Sequence, residues 1–585
     1  MRRLLAAFVL PAALAAGAAA AVKNPETFVY AAAADIDSFD PAWAYDTMSH
    51  NIIANVYEYL LDFRGSGTTV KDLTAILSEK VPSRANGLIS ADGLTYRFPI
   101  RKGVKFHDGS LLTPEDVRYS LLRFMLADRD GGPSQLLLSP ILGLETTRSG
   151  GKPVAGLYER AAQSVRVEGG SVVVRLHRPF APLLSVLANF GAVVSKPWCA
   201  AHGQWDGRAE TWMKSNDPAH EDVIPNELAN GTGPFRLERF ERTQSQVTLA
   251  RHDAYWRGPA RLARVVVKKV DEFATRKLMI QAGDADVINA QLIYQPQVQN
   301  LEGVSVIDDL TALEAPTFLS FTFKLDPVAN PNIGSGRLDG SGIPPDFFSD
   351  KDARKAFAYA IDYAGYIRDI QRGKGRQAAG IIPPGLVGRR TGPPRYRLDL
   401  RAAAEHMRKA WGGSIWEKGF KASIVFNTGS PQAQTLCQMI KKNVESLNPK
   451  FKLDVRSVQW STYLEQTQGR KIPLFIGGWG ADYPDSHNFA FPLAHSAGYY
   501  PGRQGYSNPQ ADKLIEAAAV EQDEAERARL YGRLQDILDE DVPHVPIAEN
   551  VRYRAQRSWV KGFVFKPTFP DMPYGSYYYD LSKSE

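Results

Sequence analysis

Apolar residues recur along much of the chain with the spacing of helices or strands. Within residues 49–61 they recur at helical spacing and form one face: Ile52, Ile53, Val56, Tyr57, Leu60 and Leu61. Residues 95–101 alternate apolar and polar side chains, which predicts a half-exposed strand, and Pro99 favours an edge or a bulge. Thr113 followed by Pro114 and Asp116 is typical of the start of a helix.

The βαβ order is plainest in the last third of the chain. A strand at 422–426, a helix at 433–447 and a strand at 451–455 follow one another, and a further apolar run ends at residue 476. Parallel strands need a crossover, and a helix is the usual one. This part of the chain therefore predicts an α/β sheet.

The stretch 472–492 combines an apolar run with glycines, aromatics and acids. Residues 472–476 are predicted to form a buried strand, and two glycines, Gly477 and Gly478, then open the backbone. Aromatic and acidic side chains follow: Trp479, Asp482 and Tyr483. One interpretation is a rim that faces a ligand. The other is a tight turn, in which Asp482 bonds its own backbone and Trp479 belongs to the core.

The first 21 residues have the pattern of a secretory signal peptide. Arg2 and Arg3 precede an apolar region at 4–14, and small residues follow, so that cleavage is expected near Ala21. A membrane anchor is the alternative, but Pro11 and Gly17 interrupt the apolar run. We therefore expect an exported, periplasmic protein.

Length and charge narrow the class further. With 585 residues the chain is too long for one core, so two or three domains are expected. A net charge of +6 without a basic run argues against nucleic-acid binding. The two cysteines, Cys199 and Cys437, lie on predicted separate domains and are expected to be free and buried.

Motifs of catalysis and metal binding are missing from the sequence. It contains no H-E-x-x-H, G-x-S-x-G or G-x-x-x-x-G-K-[ST], and the glycine-rich residues 334–342 lack the strand and helix of a phosphate-binding loop. His544 is expected to be structural. Asp482 and Asp485 could act as an acid–base pair, which leaves an exported hydrolase as an alternative. We expect no catalytic residues, no metal and no cofactor.

Several motifs together resemble one family. They occur in the order that the family has, over almost the whole chain: SFDP at 38–41, YRFPIRKGVKFHDGSLLTPEDVRYSL at 96–121, GTGPF at 231–235, Tyr255-Trp256, DARKAFAYAID at 352–362, IPPG at 382–385 and WGADYPD at 479–485. The chain thus resembles the large periplasmic solute-binding proteins of ABC importers, of the dipeptide/oligopeptide/nickel-binding type (extracellular solute-binding protein family 5).

The resemblance implies an α/β fold with two lobes, a hinge of two crossovers and an extra domain inserted in the first lobe. After the signal peptide (1–21), lobe I would comprise 22–62, 187–289 and 539–585, with 63–186 inserted in it. Lobe II would comprise 290–538. The resemblance also implies a monomer that delivers its ligand to a membrane permease with its ATPase. It implies neither a cofactor nor a catalytic activity.

The resemblance also implies a ligand site between the lobes. Asp482 would hold the α-ammonium of a peptide, and Trp460 and Trp479 would wall the cleft, with Tyr483 beside them. Oligopeptide binders carry arginines near the positions of Thr467 and Ile476, whereas this chain has only Arg470 close by. Other members bind nickel chelates, opines or oligosaccharides, so a non-peptide solute remains an alternative. A structural or chaperone-like envelope protein is a further one.

Overall fold

A computed structural model describes residues 22–585 apart from 226, 570 and 572. The predicted signal peptide therefore lies outside the described residues. Two large sheets, each with its own apolar core, organise the described chain. We call the part built on the seven-stranded sheet the first lobe and the part built on the five-stranded sheet the second lobe. This is the two-lobed α/β architecture that the resemblance implied.

The first sheet is mixed, and its central strand Thr27–Ala32 runs parallel to both of its neighbours. In spatial order its strands are Val304–Thr311, Val551–Arg557, Val287–Ile288, Thr27–Ala32, Arg264–Lys269, Gln246–Arg251 and Phe235–Glu241. Between Thr27–Ala32 and Arg264–Lys269, Phe28 lies opposite Val265 and Tyr30 opposite Val267, and all four side chains are fully buried. Alternate residues of a strand point to one face, so this register fills the core of the first lobe.

The second sheet contains the predicted βαβ unit. In spatial order its strands are Phe451–Val458, Phe420–Asn427, Leu474–Gly477, Thr317–Phe321 and His544–Ala548. Phe420–Asn427 runs parallel to both of its neighbours, and Pro431–Leu447 is the helix between the first two strands. The strand, helix and strand predicted between residues 422 and 476 are therefore confirmed.

A smaller sheet forms an additional layer on the first lobe. It consists of Thr95–Pro99, Ser171–Arg175 and Val165–Glu168. The helix Pro114–Ala127 packs against it and begins as predicted, because the Thr113 and Asp116 side chains cap each other's backbone N–H groups. Two-residue and three-residue strands make three further pairs: Leu61–Phe63 with Leu73–Ala75, Arg148–Ser149 with Lys152–Pro153, and Val560–Lys561 with Ser582–Lys583.

Helices cover the sheets of both lobes. Those of the first lobe are Thr47–Val56, Pro114–Ala127, Gln135–Leu142, Leu157–Ser164, Leu183–Leu187, Lys196–Ala201, Phe273–Ala282 and Gln295–Val298. Those of the second are Lys351–Tyr359, Tyr363–Gly365, Leu400–Lys409, Ser414–Lys418, Pro431–Leu447, Trp460–Gln468, His487–Ala494, Tyr499–Gln504, Pro509–Val520 and Glu524–Asp541. Among the described residues, none of these helices has both the length and the apolar character needed to cross a bilayer.

The strand order corrects the predicted division of the chain at two places. Val304–Thr311 pairs with Val551–Arg557 in the first sheet, although residues 290–538 were assigned to lobe II. His544–Ala548 pairs with Thr317–Phe321 in the second sheet, although residues 539–585 were assigned to lobe I. The chain therefore crosses between the lobes at residues 312–316 and 549–550. A short apolar strand has the same pattern in either sheet, so its sequence does not reveal which sheet it joins.

The two crossings lie side by side. The backbone N–H of Ala312 donates to the carbonyl of Asn550 at 3.3 Å, and Thr317 Oγ1 donates to Asn550 Oδ1 at 3.2 Å. Adjacent crossings of this kind give two lobes a common hinge. Cys199 is buried in the core of the first lobe and Cys437 in that of the second, and neither forms a disulfide.

Candidate functional site

A cavity of about 390 Å³ opens where the two lobes meet. The first lobe contributes most of its wall, from the segment 45–62, from 188–190 and from the C-terminal segment 567–577. The second lobe contributes Leu313 and Glu314 at one crossing and Gly480, Ala481 and Asp482 after the strand Leu474–Gly477. The cavity thus has two half-walls, one from each lobe.

The strand Leu474–Gly477 delivers Asp482 to this cavity. A side chain at Gly477 would lie only 2.2 Å from the ring of Phe318 on the neighbouring strand, so the glycine allows the two strands to pack closely. Beyond the strand, Gly480 forms a bridge with Glu314 of the crossing. The chain is therefore held on both sides before it reaches Asp482.

Asp482 links the two lobes through its hydrogen bonds. Its Oδ1 accepts from the hydroxyl of Tyr45 in the first lobe, and its Oδ2 accepts from Asn488 Nδ2 in the second, both at 2.9 Å. Its backbone carbonyl accepts from Nδ2 of Asn189 at 3.0 Å. Burial raises the pKa of this carboxyl above its usual value, although the bonds from Asn488 and Tyr45 oppose the shift.

Asp482 forms no ion pair with any of the described residues. Its carboxylate faces a cavity, and its hydrogen-bond donors, Tyr45 and Asn488, are neutral. A buried carboxylate with neutral partners is stabilised when a cation approaches it. Of residues 472–492, Gly480, Ala481 and Asp482 line the cavity.

Trp479 and Tyr483 flank Asp482 but do not line the cavity. The indole N–H of Trp479 donates to Asn488 Oδ1 at 3.3 Å, and the same oxygen accepts from the backbone N–H of Asp482 at 2.9 Å. Tyr483 is buried in the core of the first lobe, where its hydroxyl lies 3.0 Å from Nδ1 of His487. Trp479 therefore shares a hydrogen-bond partner, Asn488, with Asp482. Tyr483 packs against the first lobe.

Trp460 lies away from the cavity wall. It begins the helix Trp460–Gln468, its side chain is 57% exposed, and its ring stacks on Tyr463 of the same helix at 5.4 Å. Arg470 donates to the carbonyl of Gly502 and is not among the lining residues either. The structure does not bring these two side chains together with Asp482.

Two further carboxylates in the cavity wall were not predicted, those of the buried Glu58 and the half-buried Asp571. Glu58 Oε1 accepts from the Tyr255 hydroxyl at 2.8 Å, and the indole N–H of Trp256 donates to both of its oxygens. Asp571 Oδ2 accepts from the Tyr30 hydroxyl at 2.6 Å. Burial raises the pKa of each carboxyl to about 7.

Sequence reasoning could have found Glu58 but not Asp571. Glu58 is an acid inside an apolar run, between Tyr57 and Tyr59, and a buried acid in such a run is a recognised pointer to a site. Asp571 lies in an aromatic-rich segment near the end of the chain. It reaches the wall because the segment folds back onto Tyr30, which is 541 residues earlier.

Two other acids of the wall are held by cations. Glu314 Oε1 accepts from Nε and Nη2 of Arg552 at 2.9 and 2.6 Å, which ties the first crossing to the strand that follows the second. Asp62 Oδ2 lies 2.6 Å from Nζ of Lys566. These pairs satisfy each other's charge at the edge of the cavity.

The residues considered for catalysis are separated by the structure. Asp485 forms a buried pair with Arg527, at 3.0 and 2.6 Å, and does not line the cavity with Asp482. His544 lies 2.7 Å from Ser320 Oγ and 2.9 Å from the carbonyl of Leu493, in the core of the second lobe. Over residues 22–585 apart from 226, 570 and 572, no three acidic, histidine or cysteine side chains are grouped as metal ligands would be.

Comparison with known families agrees with this geometry. Residues 81–501 match the sequence model of a protein family, described as the middle part of the bacterial extracellular solute-binding proteins, family 5. The chain belongs to this family. Members of family 5 are binding proteins, so the cavity between the lobes is the place where a solute is expected.

Individual relatives cover nearly the whole length of this family 5 protein. Heme-binding protein A of Haemophilus influenzae is 25% identical over 570 residues, which cover 94% of this chain and 92% of the relative. The dipeptide-binding protein of Escherichia coli is 25% identical over 579 residues, with 95% of each chain covered.

A solved structure shows the same fold. It is the ABC transporter-associated periplasmic binding protein DppA from Helicobacter pylori, in complex with the peptide STSA. The two chains superpose with a TM-score of 0.70 at 23% identity, over 96% of this chain and 98% of the other.

Proposed function

We propose that this family 5 protein is the substrate-binding component of an ABC importer that captures di- or oligopeptides between its lobes. It delivers them to a membrane permease with its ATPase and carries out no reaction on them. In this proposal the protein is exported, loses its signal peptide near Ala21 and works as a monomer in the periplasm.

The observation that carries the proposal is the environment of Asp482. Its carboxylate lies in the cavity, is held by Tyr45 and Asn488, and has no cationic partner among the described residues. A peptide α-ammonium is a cation of the right size, with three N–H donors. It would offset the cost of burying the carboxylate and would bond to it directly.

The other predicted binding residues take indirect roles in this proposal. Trp479 holds Asn488, and Asn488 orients the carboxylate of Asp482. Tyr483 fixes the segment against the first lobe. A contact between Trp460 and the ligand stays a prediction. The exposed position of the Trp460 side chain does not support it.

The test compares a peptide with its N-acetylated form. Acetylation of alanyl-norleucine removes the positive charge and keeps the rest of the molecule. We expect calorimetric titration to show a loss on the order of 3 kcal/mol, more than about a hundredfold in affinity, because the buried Asp482 carboxylate loses its cation. The Asp482→Asn variant should bind the free and acetylated peptides with similar, weak affinity.

The matched control is Asp523→Asn, which changes an exposed acid at the start of the helix Glu524–Asp541, where asparagine also caps. It should bind the free peptide like the original protein. Equal affinity for the free and acetylated peptides in the original protein would contradict the role of Asp482. Chromatography of the recovered peptide should show it intact, and its cleavage at catalytic amounts of protein would support the hydrolase.

A further inference from the structure

The wall of the cavity carries far more negative than positive charge. Its acidic residues come from four separate parts of the chain: Asp46, Glu58, Asp62, Glu314, Asp482 and Asp571. Among the described residues of the wall, Arg552 is the one lysine or arginine, and it is already bound to Glu314. Asp62 is bound to Lys566. The carboxylates of Asp46, Glu58, Asp482 and Asp571 have no ion pair with any described residue.

A peptide α-ammonium accounts for only one of these four carboxylates. Asp482 is contributed by the second lobe, whereas Asp46, Glu58 and Asp571 all belong to the first lobe. Burial is the main reason that the pKa of Asp571 is raised; the negative charge of the nearby Asp46 adds to the shift, while the Tyr30 hydroxyl, Arg552 and Arg554 oppose it. The first lobe therefore presents its own acidic wall to the ligand, separate from the segment that carries Asp482.

Asp46 has an acceptor that the protein leaves without a partner. Its Oδ1 caps the helix Thr47–Val56 by accepting from the backbone N–H of Ser49 at 2.8 Å. Its Oδ2 is shielded from solvent and accepts no hydrogen bond from any described residue. A buried carboxylate oxygen without a donor is costly, and a ligand donor at the cavity surface would satisfy it.

Among the described residues, the cavity wall also offers a ligand carboxylate no free lysine or arginine, and burial lowers the pKa of its one histidine, His50. Arg552 has both its Nε and its Nη2 on Glu314, and its position at the crossings keeps that pair together. A zwitterionic ligand would place its carboxylate against acidic walls, whereas extra positive charge on the ligand would offset them.

We propose that the site selects peptides with a second cationic group, such as a lysine or arginine side chain. The first-lobe carboxylates of Asp46, Glu58 and Asp571 hold this second group, while Asp482 holds the α-ammonium. This inference rests on the proposed function, because it takes the cavity to be the peptide site. It adds a substrate class: short basic peptides.

Titration of matched dipeptides tests this selection in the purified mature protein. Ala-Lys and Lys-Ala carry the second cation, while Ala-norleucine and norleucine-Ala have nearly the same shape without it. Ala-Glu adds a negative charge instead. We expect one or both lysine peptides to bind about tenfold or more tightly than their norleucine counterparts, and Ala-Glu to bind most weakly.

Two variants show whether the first-lobe acids cause the preference. Asp571→Asn keeps an oxygen that can accept from the Tyr30 hydroxyl, and Glu58→Gln keeps one for Tyr255. Each should lower the ratio of lysine-peptide to norleucine-peptide affinity several-fold, because the side chain becomes neutral. Asp523→Asn, remote from the cavity, should keep the full preference. Thermal unfolding of each variant verifies that it folds.

The outcomes separate this inference from the proposed function. Equal affinity for lysine and norleucine peptides would overturn the second cationic site and leave peptide binding intact. A lysine preference that survives in both Asp571→Asn and Glu58→Gln would overturn the assignment to these residues. If none of the peptides binds, both the inference and the proposed function are wrong.

Discussion

At the scale of single residues, the site depends on three cavity carboxyls that form no ion pair with any described residue, those of Asp482, Glu58 and Asp571. Tyr45 and Asn488 donate to Asp482. Tyr255 and Trp256 donate to Glu58, and Tyr30 donates to Asp571. All of these donors are neutral. Neutral donors compensate the burial of a charge only partly. The unliganded protein therefore carries a free-energy cost that a cationic ligand can relieve.

Glu58 makes this cost measurable as a dependence of stability on pH. Its pKa is raised to about 7 in the folded protein, mainly by burial, while hydrogen bonds from Tyr255 and Trp256 and the charge of Arg257 oppose the shift. In the unfolded chain the pKa is near ~4.3. Between these two values the folded state binds more protons, so this group lowers stability as pH rises through that range.

We therefore expect Glu58→Gln to gain stability relative to the original protein as pH increases from about 5 to about 8. Glutamine is neutral throughout and keeps an acceptor for the Tyr255 hydroxyl. The relative gain should be on the order of 1–3 kcal/mol, measured as a difference in thermal midpoints at the two pH values. The exposed-site variant Asp523→Asn serves as the control. Parallel pH profiles of Glu58→Gln and the original protein would contradict the shifted pKa.

The residue scale is also where the sequence was least informative. The apolar run and the two glycines before Asp482 were compatible with a ligand-facing rim or with a turn, and only the family resemblance implied a ligand contact for Asp482. Its partner Tyr45 is 437 residues away, and Asp571 meets Tyr30 across 541 residues. Such pairs depend on how the strands are ordered in the sheets, which local patterns do not encode. The side chain of Trp460 stacks on Tyr463, one helical turn along, and so needs no ligand to bury part of its ring.

At the scale of elements, the strand Leu474–Gly477 sets the position of the site. It pairs with Phe420–Asn427 on one side and with Thr317–Phe321 on the other. Local periodicity predicted this strand and the helix Pro431–Leu447, since both have clear apolar faces. Residues 509–541 form two helices, Pro509–Val520 and Glu524–Asp541, and Asp523 caps the start of the second.

Gly477 and Gly478 offer a direct test of how this strand holds Asp482. In Gly477→Ala the new Cβ would lie 2.2 Å from the Phe318 ring, so the strand or the ring must move. We expect a loss of stability of about 1–3 kcal/mol and weaker peptide binding, because Asp482 moves with the strand end. Thermal unfolding and calorimetric titration measure the two effects.

Gly478→Ala is the matched control. Nothing lies within 4 Å of a Cβ at Gly478, and its backbone conformation is open to alanine. This variant should keep stability and affinity close to those of the original protein. If the two alanine variants behave alike, close packing against Phe318 does not position the site.

At the scale of the whole molecule, contacts between the lobes surround the cavity. Besides the bonds of Asp482 to Tyr45 and Asn189, the backbone N–H of Ala181 donates to the carbonyl of Ala519 at 2.8 Å, and Thr68 Oγ1 donates to the carbonyl of Gly385 at 2.8 Å. The lobes are thus in contact at several places besides the crossings 312–316 and 549–550. A ligand that bonds to both half-walls adds to these contacts and favours the closed arrangement.

The two-lobed fold could be predicted from the sequence because motifs spread over almost the whole chain agree with one family. The division of the chain between the lobes was less accurate. Val304–Thr311 and His544–Ala548 each lie next to a crossing, and each joins the sheet opposite to the one expected. Only the pairing partners, Val551–Arg557 and Thr317–Phe321, decide the sheet to which each strand belongs.

The central claim is that a cationic peptide binds between the lobes with its α-ammonium on Asp482. A crystal structure of the complex with the tighter-binding of Ala-Lys and Lys-Ala measures this directly. We predict that the α-ammonium nitrogen lies within about 3.2 Å of the Asp482 carboxylate, and that the lysine ammonium faces Asp46, Glu58 and Asp571. A peptide bound in the cavity with its carboxylate toward Asp482, or bound outside the cavity, would contradict the claim.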